Sequence, residues 1–370
     1  MYIRRQTKIL ETLETMNLDG LVLNAGASLT YFTGLHFHLM ERPVILFVLN
    51  GQNPLIILPE LEKEKLNHLS FELDSFTYPD NPALWPEVFN RACHRIGTRT
   101  RRMGYEPKQL RLLEYNLLTT AHRTLSFVDG DQAIACSRSI KDSKEIGKMK
   151  KAVSIAQDAL AMALVSAKIG MSEKELAAEL VIQLFRHGSD QNLPFSPIVA
   201  SGPNGANPHA KPSGRKLADG DLVIIDWGAT CQGYASDLTR TVAVGSVAPE
   251  YEHIHSLVHQ ANRAGRGKAG PGVTCQAVDL ATRSVIETAG YGKYFTHRTG
   301  HGIGMECHEE PYIHDGNAQI LKPGMTFTVE PGIYLKGKNG VRIEDDVVIT
   351  EQGSESLSSL SRELISIDKK

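Results

Sequence analysis

Residues 222–244, LVIIDWGATCQGYASDLTRTVAV, decide how the second half of the chain folds. Two apolar, β-branched runs flank a short polar break, the pattern of an antiparallel strand pair. A turn centred between Cys231 and Gln232 sets Asp226 opposite Asp237 on one sheet face, with side-chain roots about 5 Å apart. Bare carboxylates at that separation repel each other, so the pairing calls for a cation between them.

A second strand pair repeats the logic. Runs 326–333 and 341–349 flank the glycine-rich loop LKGKNG, residues 335–340. A turn centred on Gly337 places Glu330 opposite Glu344. Arg342, two residues from Glu344 and therefore on the same face, could orient these carboxylates. Taken singly, each acid reads as a solvated surface residue. The flanks Val223-Ile224-Ile225 and Phe327-Thr328-Val329 are apolar, however, and a buried charge needs a partner or a metal. With His301 between the pairs, five ligands follow in order: Asp226, Asp237, His301, Glu330 and Glu344. One divalent ion rarely needs four carboxylates, whereas two ions sharing bridging carboxylates do. The pattern predicts a two-metal hydrolase.

Outward from these strands the pattern is helical. Asp142 and Glu145 form an N-cap pair, and Ile146, Met149, Val153, Ala156, Leu160 and Leu164 recur at helical spacing as far as Gly170. Ser172-x-x-Glu175 opens a second helix that Gly188 ends, and another helix pair spans about 249–290. Helix pairs set between antiparallel strand pairs argue for an α+β domain over 139–370. Residues 1–130 alternate helical pieces with short apolar strands such as Leu21–Leu23 and Val44–Leu49, which predicts a smaller α/β domain. The apolar pattern lapses around Val128–Asp131, and 131–138 reads as a linker.

Composition narrows the function classes. The chain has 370 residues, enough for two full domains, with 41% hydrophobic and 22% charged residues. Forty Lys and Arg against forty-two Asp and Glu leave a net charge of −2, which provides no basic face for nucleic acid or anionic lipid. The first twenty residues lack the apolar core of a signal peptide, and no run reaches membrane-span length. Five scattered cysteines without a C-x-x-C pair fit reduced thiols in a cytoplasm.

His301 lies in HRTGHGIGMECHEEP, residues 297–311. The G-x-G-x-x-G spacing of a dinucleotide loop fails there, and no H-E-x-x-H zinc motif is present. A loop whose small residues let the backbone approach a ligand is the better reading.

Taken together, these segments resemble the pita-bread metallopeptidases, the family of Xaa-Pro aminopeptidases, prolidases and methionine aminopeptidases. The matching pieces are Asp226-Trp227-Gly228-Ala229, the run Gly233 to Thr241 around Asp237, and Gly300-His301-Gly302 with His308-Glu309-Glu310-Pro311. Thr328-Val329-Glu330-Pro331-Gly332 and Val341-Arg342-Ile343-Glu344-Asp345-Asp346 complete the set. The resemblance covers 139–370 strongly, and residues 1–130 are similar to the creatinase/prolidase N-terminal domain.

The family resemblance implies a pita-bread fold and two divalent metal ions per subunit. Asp226 would chelate one metal, Asp237 and Glu344 would bridge, and His301 and Glu330 would bind the second. The hard, carboxylate-rich ligand set favours Mn²⁺ or Co²⁺, with Zn²⁺ as an alternative. His209 matches a substrate-binding histidine, His308 one that contacts the scissile peptide, and His297 a further active-site histidine of the proline-specific branch. Arg342 joins them as a substrate-side cation. In the chemistry implied, a bridging hydroxide attacks the carbonyl preceding proline, His209 and His308 stabilise the oxyanion, and Glu330 shuttles a proton.

The preferred reading is an Xaa-Pro dipeptidase, cytoplasmic and homodimeric, acting on proline-containing peptides. Residues 33–43 resemble the prolidase loop that reaches toward a partner subunit's active site, and read equally well as a solvated loop between two strands. The alternatives are an Xaa-Pro aminopeptidase acting on longer peptides and a non-catalytic peptide-binding protein on the same scaffold. A methionine aminopeptidase normally lacks the N-terminal domain, and a creatinase-like enzyme lacks the full metal set.

Overall fold

The computed structural model describes residues 1–97 and 100–367. It divides into two compact units, Met1–Arg138 and Ser139–Lys370.

The first unit holds one mixed sheet of six strands. Their order is Asp74–Tyr78, Leu55–Pro59, Ile45–Leu49, Gly20–Asn24, Arg102–Tyr105 and Ser126–Asp129. Three strands, Gly20–Asn24, Ile45–Leu49 and Leu55–Pro59, are buried along their whole length, as continuous apolar runs covered on both faces should be. Helix Trp85–Ile96 buries Val88, Phe89, Ala92 and Ile96 against this sheet. The stretch 131–138, expected as a linker, is instead the helix Asp131–Arg138. Asp129 Oδ1 accepts from the backbone N–H of Asp131 at 2.9 Å, and Ala133 and Ile134 are buried. The lapse in apolar pattern at 128–131 is therefore a strand-to-helix turn.

The second unit is α+β. Helices Ser143–Ser166 and Glu173–Arg186 open with reciprocal capping boxes, Asp142 with Glu145 and Ser172 with Glu175. Their apolar faces cover a four-stranded sheet ordered Ser366–Ile367, Leu238–Val244, Leu222–Trp227, Ile198–Ser201. Trp227 is fully buried in that contact, and its Nε1–H donates to Ala156 O at 2.8 Å. Truncating such a side chain costs about 3–5 kcal/mol. The second helix pair, Pro249–Lys268 and Cys275–Thr288, packs against the strands that carry the later ligands. Those strands form a five-stranded sheet ordered Glu309–Ile313, Gly300–Gly302, Thr326–Val329, Asp345–Ile349, Ser354–Ser356, with a separate hairpin of Gly332–Leu335 and Asn339–Arg342.

The two strand pairs differ in how well their spacing foretells their register. Thr239, not Asp237, lies opposite Asp226. The hairpin turns on Gln232-Gly233, with φ of 50° and 78°, and Cys231 pairs with Tyr234. Positive φ at both central residues is the type I′ geometry that matches strand twist, so the turn sits one residue later than the apolar spacing implies. The pairing thus shifts by two residues. An even shift preserves the face, and Asp226 and Asp237 remain on one side, diagonal rather than opposed. In the second pair the register is as read, with Val329 opposite Asp345 and Gly332 opposite Arg342. Glu330 and Glu344 lie at the break between those two ladders. Thr239 joins the two systems: it pairs with Asp226 on one side and bridges Glu344 on the other, where Glu344 N donates to Thr239 O at 3.0 Å.

Candidate metal centre

Because of the Thr239 bridge, carboxylates from both strand pairs meet. Asp237, His301 and Glu344 are buried and each offers a ligand atom within 4.8 Å of the others. Glu330 Oε1 lies 3.5 Å and Asp237 Oδ2 3.7 Å from His301 Nε2. The opposite ring nitrogen, Nδ1, is 3.2 Å from Gly302 O. A carbonyl only accepts, so Nδ1 carries the proton and Nε2 presents its lone pair to the acids. Burial first, then His308, holds the His301 pKa well below its ordinary value, so the ring is neutral.

Asp226 reaches the cluster differently. Its Oδ2 accepts from Arg342 Nη2 at 2.6 Å, while its Oδ1 is buried with no hydrogen-bond partner. Asp237 Oδ1 is likewise buried and unpartnered. Burial pushes the Asp237 carboxyl well up, and Glu344, Asp226 and Asp346 push it further. Burial and then Glu344 raise Glu330, and burial with Asp226 pushes Glu344 up to about 8. Orphaned buried oxygens, mutually repelling acids and a neutral imidazole are the conditions a divalent cation relieves. The donor set is hard and oxygen-rich, so the residues present fit divalent metal.

Surrounding groups hold these donors in place. Thr239 Oγ1 donates to Glu344 Oε2 at 2.7 Å, Asp237 N donates to Asp346 Oδ2 at 3.0 Å, and Cys307 Sγ–H donates to Asp237 Oδ2 at 3.0 Å. The glycines around His301 differ from the expected ligand-approach loop, for Gly300–Gly302 is a strand. A Cβ on Gly300 would run into Thr328 O, and one on Gly302 into Glu310 O, so they serve strand packing.

The residues expected around the substrate divide into two kinds. His209 and His308 are exposed, and neither ring nitrogen of either is hydrogen-bonded among the described residues. The His308 ring stands edge-to-face on His301 with centroids 4.1 Å apart. Partial desolvation by the chain packed around it, and then Arg298, lower the His308 pKa. His297 and Arg342 are committed elsewhere. His297 Nδ1 faces Arg298 O at 2.8 Å and Nε2 faces Tyr334 Oη at 2.8 Å, which leaves no ring nitrogen for a substrate. Burial takes the His297 pKa down to about 4. Arg342 donates through Nε to Thr239 Oγ1 and through Nη1 to Tyr334 Oη, besides Asp226. Both are bonded into the frame of the site through Tyr334, Thr239 and Asp226.

Tyr334, Cys307 and Arg298 are neighbours of these residues that sequence reasoning missed. Tyr334 could have been found by strand alternation, since it lies on the Gly332–Leu335 strand paired with Asn339–Arg342. Cys307 gave no signal beyond its place before His308. Arg298 stacks over the Tyr312 ring at 4.5 Å and pairs with no carboxylate among the described residues. Its charge is felt at His301, His308 and Glu330.

Comparison with known proteins bears on this geometry. Residues 147–351 match metallopeptidase family M24, and residues 5–140 match the Creatinase/Prolidase N-terminal domain. The chain is 33% identical over 358 residues to an Xaa-Pro dipeptidase of Lactobacillus helveticus, covering 96% of this chain and 97% of that one. It superposes on a recombinant prolidase from Thermococcus sibiricus with a TM-score of 0.93 and 35% identity, covering 99% of each chain. An X-Pro aminopeptidase from Thermotoga maritima is also similar, with a TM-score of 0.85 and 31% identity over 98% of this chain and 99% of that one.

Proposed function

The chain belongs to metallopeptidase family M24, with a pita-bread peptidase domain behind a creatinase/prolidase N-terminal domain, and we propose that it is an Xaa-Pro dipeptidase using two divalent metal ions. The observation that carries this reading is the buried cluster of Asp237, His301 and Glu344, with Asp226 and Glu330 beside it and two carboxylate oxygens lacking partners. In this reading Asp226, Asp237, His301, Glu330 and Glu344 hold the metals, which supply Lewis acidity and a water acidic enough to react at neutral pH. Mn²⁺ suits the donors best, with Co²⁺ or Zn²⁺ as substitutes.

The protein's own groups do the rest. His209 and His308, with free ring nitrogens, donate to the carbonyl oxygen preceding proline as negative charge develops there. Glu330 takes a proton from the attacking water at a carboxylate oxygen and passes it to the departing proline nitrogen. Arg342 turns Asp226 toward the cluster, and His297 holds Tyr334, which in turn receives Arg342.

Dipeptide preference follows from a cation. Arg298, lacking a carboxylate partner and electrostatically coupled to the site, would bind the free carboxylate of a two-residue substrate. The relatives named Xaa-Pro dipeptidase and prolidase agree with that choice. The likeness to an X-Pro aminopeptidase favours a second reading, in which longer peptides are trimmed. Assaying Ala-Pro beside Ala-Pro-Ala after Mn²⁺ restoration separates them. Hydrolysis of Ala-Pro is expected; hydrolysis confined to the tripeptide would reverse the preference, and activity on neither would favour a non-catalytic binding protein.

A cytoplasmic homodimer belongs to the same reading. The five cysteines are unpaired, and among the described residues no helix is long and apolar enough to cross a membrane. Light scattering on the purified protein checks the dimer.

A further inference from the structure

His209 sits on a stretch of chain with little regular structure of its own. Strand Ile198–Ser201 ends in the single 3₁₀ turn Gly202–Ala206, and the chain then runs irregularly through His209 to Ser213. A loop of this kind has many conformations open to it, so something must hold its ends.

Both ends converge on one carboxylate. Glu173, the first residue of helix Glu173–Arg186, is fully buried. Its Oε1 accepts from Ser201 N and Ser201 Oγ, each at 2.7 Å. Its Oε2 accepts from Ser213 N at 2.9 Å and Ser213 Oγ at 2.6 Å. Asn204 Nδ2 spans the two oxygens at 3.1 and 3.0 Å. The helix start answers with its own backbone, as Glu173 N donates to Arg215 O and Lys174 N to Ser213 O, both at 3.1 Å. Burial pushes the Glu173 carboxyl up, yet the bonds from Ser213 and Ser201 hold it below its ordinary range. Five donor atoms on two oxygens saturate the group, and all five come from the loop.

The loop is braced a second time nearer its tip. Gly205 and Gly340 touch backbone to backbone, so that a Cβ on Gly340 would run into Gly205 O. Pro208 O accepts from Arg342 Nη1 at 3.4 Å. Glu173 itself bonds none of the metal-binding acids. Its reach into the site is through the loop alone.

We propose that Glu173 is a positioning residue for His209, closing the 201–213 loop so that the imidazole stands at the carbonyl of the bound peptide. This rests on the reading of His209 given under the proposed function. A glutamine in its place keeps the volume but offers one acceptor oxygen, and its NH₂ would face the N–H and O–H of Ser213 or Ser201. One end of the loop would then be released.

The test is a double-mutant cycle on the Mn²⁺-restored enzyme, with metal content and hydrogen exchange measured alongside. Glu173→Gln should lower kcat/KM for Ala-Pro about tenfold, the scale of a misplaced catalytic group, with metal content unchanged. In a His209→Ala background the same substitution should cost less than about twofold, because the group it positions is gone. Amide exchange should quicken across 201–213 and stay unchanged in strand Leu222–Trp227. Equal losses in both backgrounds, or unchanged exchange in the loop, would overturn the proposal. Should Glu173→Gln fail to fold, Asn204→Ala removes one bridging donor and must shift the same readouts in the same direction. If the unaltered enzyme does not cleave Ala-Pro, the dipeptidase reading fails by itself, and the loop's exchange then decides the clip.

Discussion

The acids and the free histidines of this site are held in contrasting ways. Asp226, Asp237, Glu330 and Glu344 come from strands or strand ends, and the backbone bridge at Thr239, with the bonds around it, joins the two strand systems. His209 and His308 come from irregular chain and stand exposed, their places set by side-chain contacts such as those at Glu173. Ladder register is rigid and indifferent to single side chains, while a loop depends on the few groups that tie it down. In the proposed function the metal end of the site is therefore built into the sheet, and the substrate end is mounted on it.

Removing a group from the sheet-borne side should have the largest effect. Glu330→Gln should reduce turnover by at least about a thousandfold while far-UV circular dichroism stays unchanged, since an amide cannot pass a proton. An active variant would remove Glu330 from that role. On the loop-borne side, His308→Ala should lower kcat about a hundredfold with metal content intact, the loss typical of one donor to a developing oxyanion. Loss of metal in that variant would erase the distinction between the two halves.

Titration sharpens the same contrast. Glu344 is raised in the folded protein from 4.5 to about 8, and Asp237 and Glu330 move the same way. Raised carboxyls contribute stability that is full below their unfolded pKa and is lost as pH rises through the folded value. For Glu344 that window runs from 4.5 to about 8. Chelator-stripped protein should thus melt lower at pH 8 than at pH 6, and Mn²⁺ should abolish the difference. Equal melting temperatures for the stripped protein at the two pH values would contradict the charge cluster. The smallest effect belongs to the turn: Gln232→Asn, at a φ of 50°, should stabilise the hairpin by about 0.5 kcal/mol without altering kcat. A destabilised variant would count against the type I′ assignment.

Much of the sheet-borne half was legible in the sequence, because period-two alternation and a glycine-centred turn fix which residues share a face. The Glu330 and Glu344 register followed from that directly. The Asp226 and Asp237 register was off by two, since Gln232-Gly233 is not among the commonest type I′ pairs and its positive φ values are a property of the folded turn. The face survived the error because the shift was even. The commitments of His297 and Arg342 were not legible, for they depend on Tyr334 Oη, a contact across strands that no spacing rule specifies. Helix Asp131–Arg138 was hidden by its polar start, where a capping aspartate reads as a break.

In the proposed function, four acids and one imidazole are gathered to hold two cations. Elemental analysis of protein purified after Mn²⁺ loading, beside its Asp237→Asn variant, tests it most directly. Two divalent ions per chain in the unaltered protein, with at least one lost in Asp237→Asn, is the outcome predicted, because an amide oxygen does not bridge as a carboxylate does. One ion or none in the unaltered protein, or full occupancy in the variant, would contradict it.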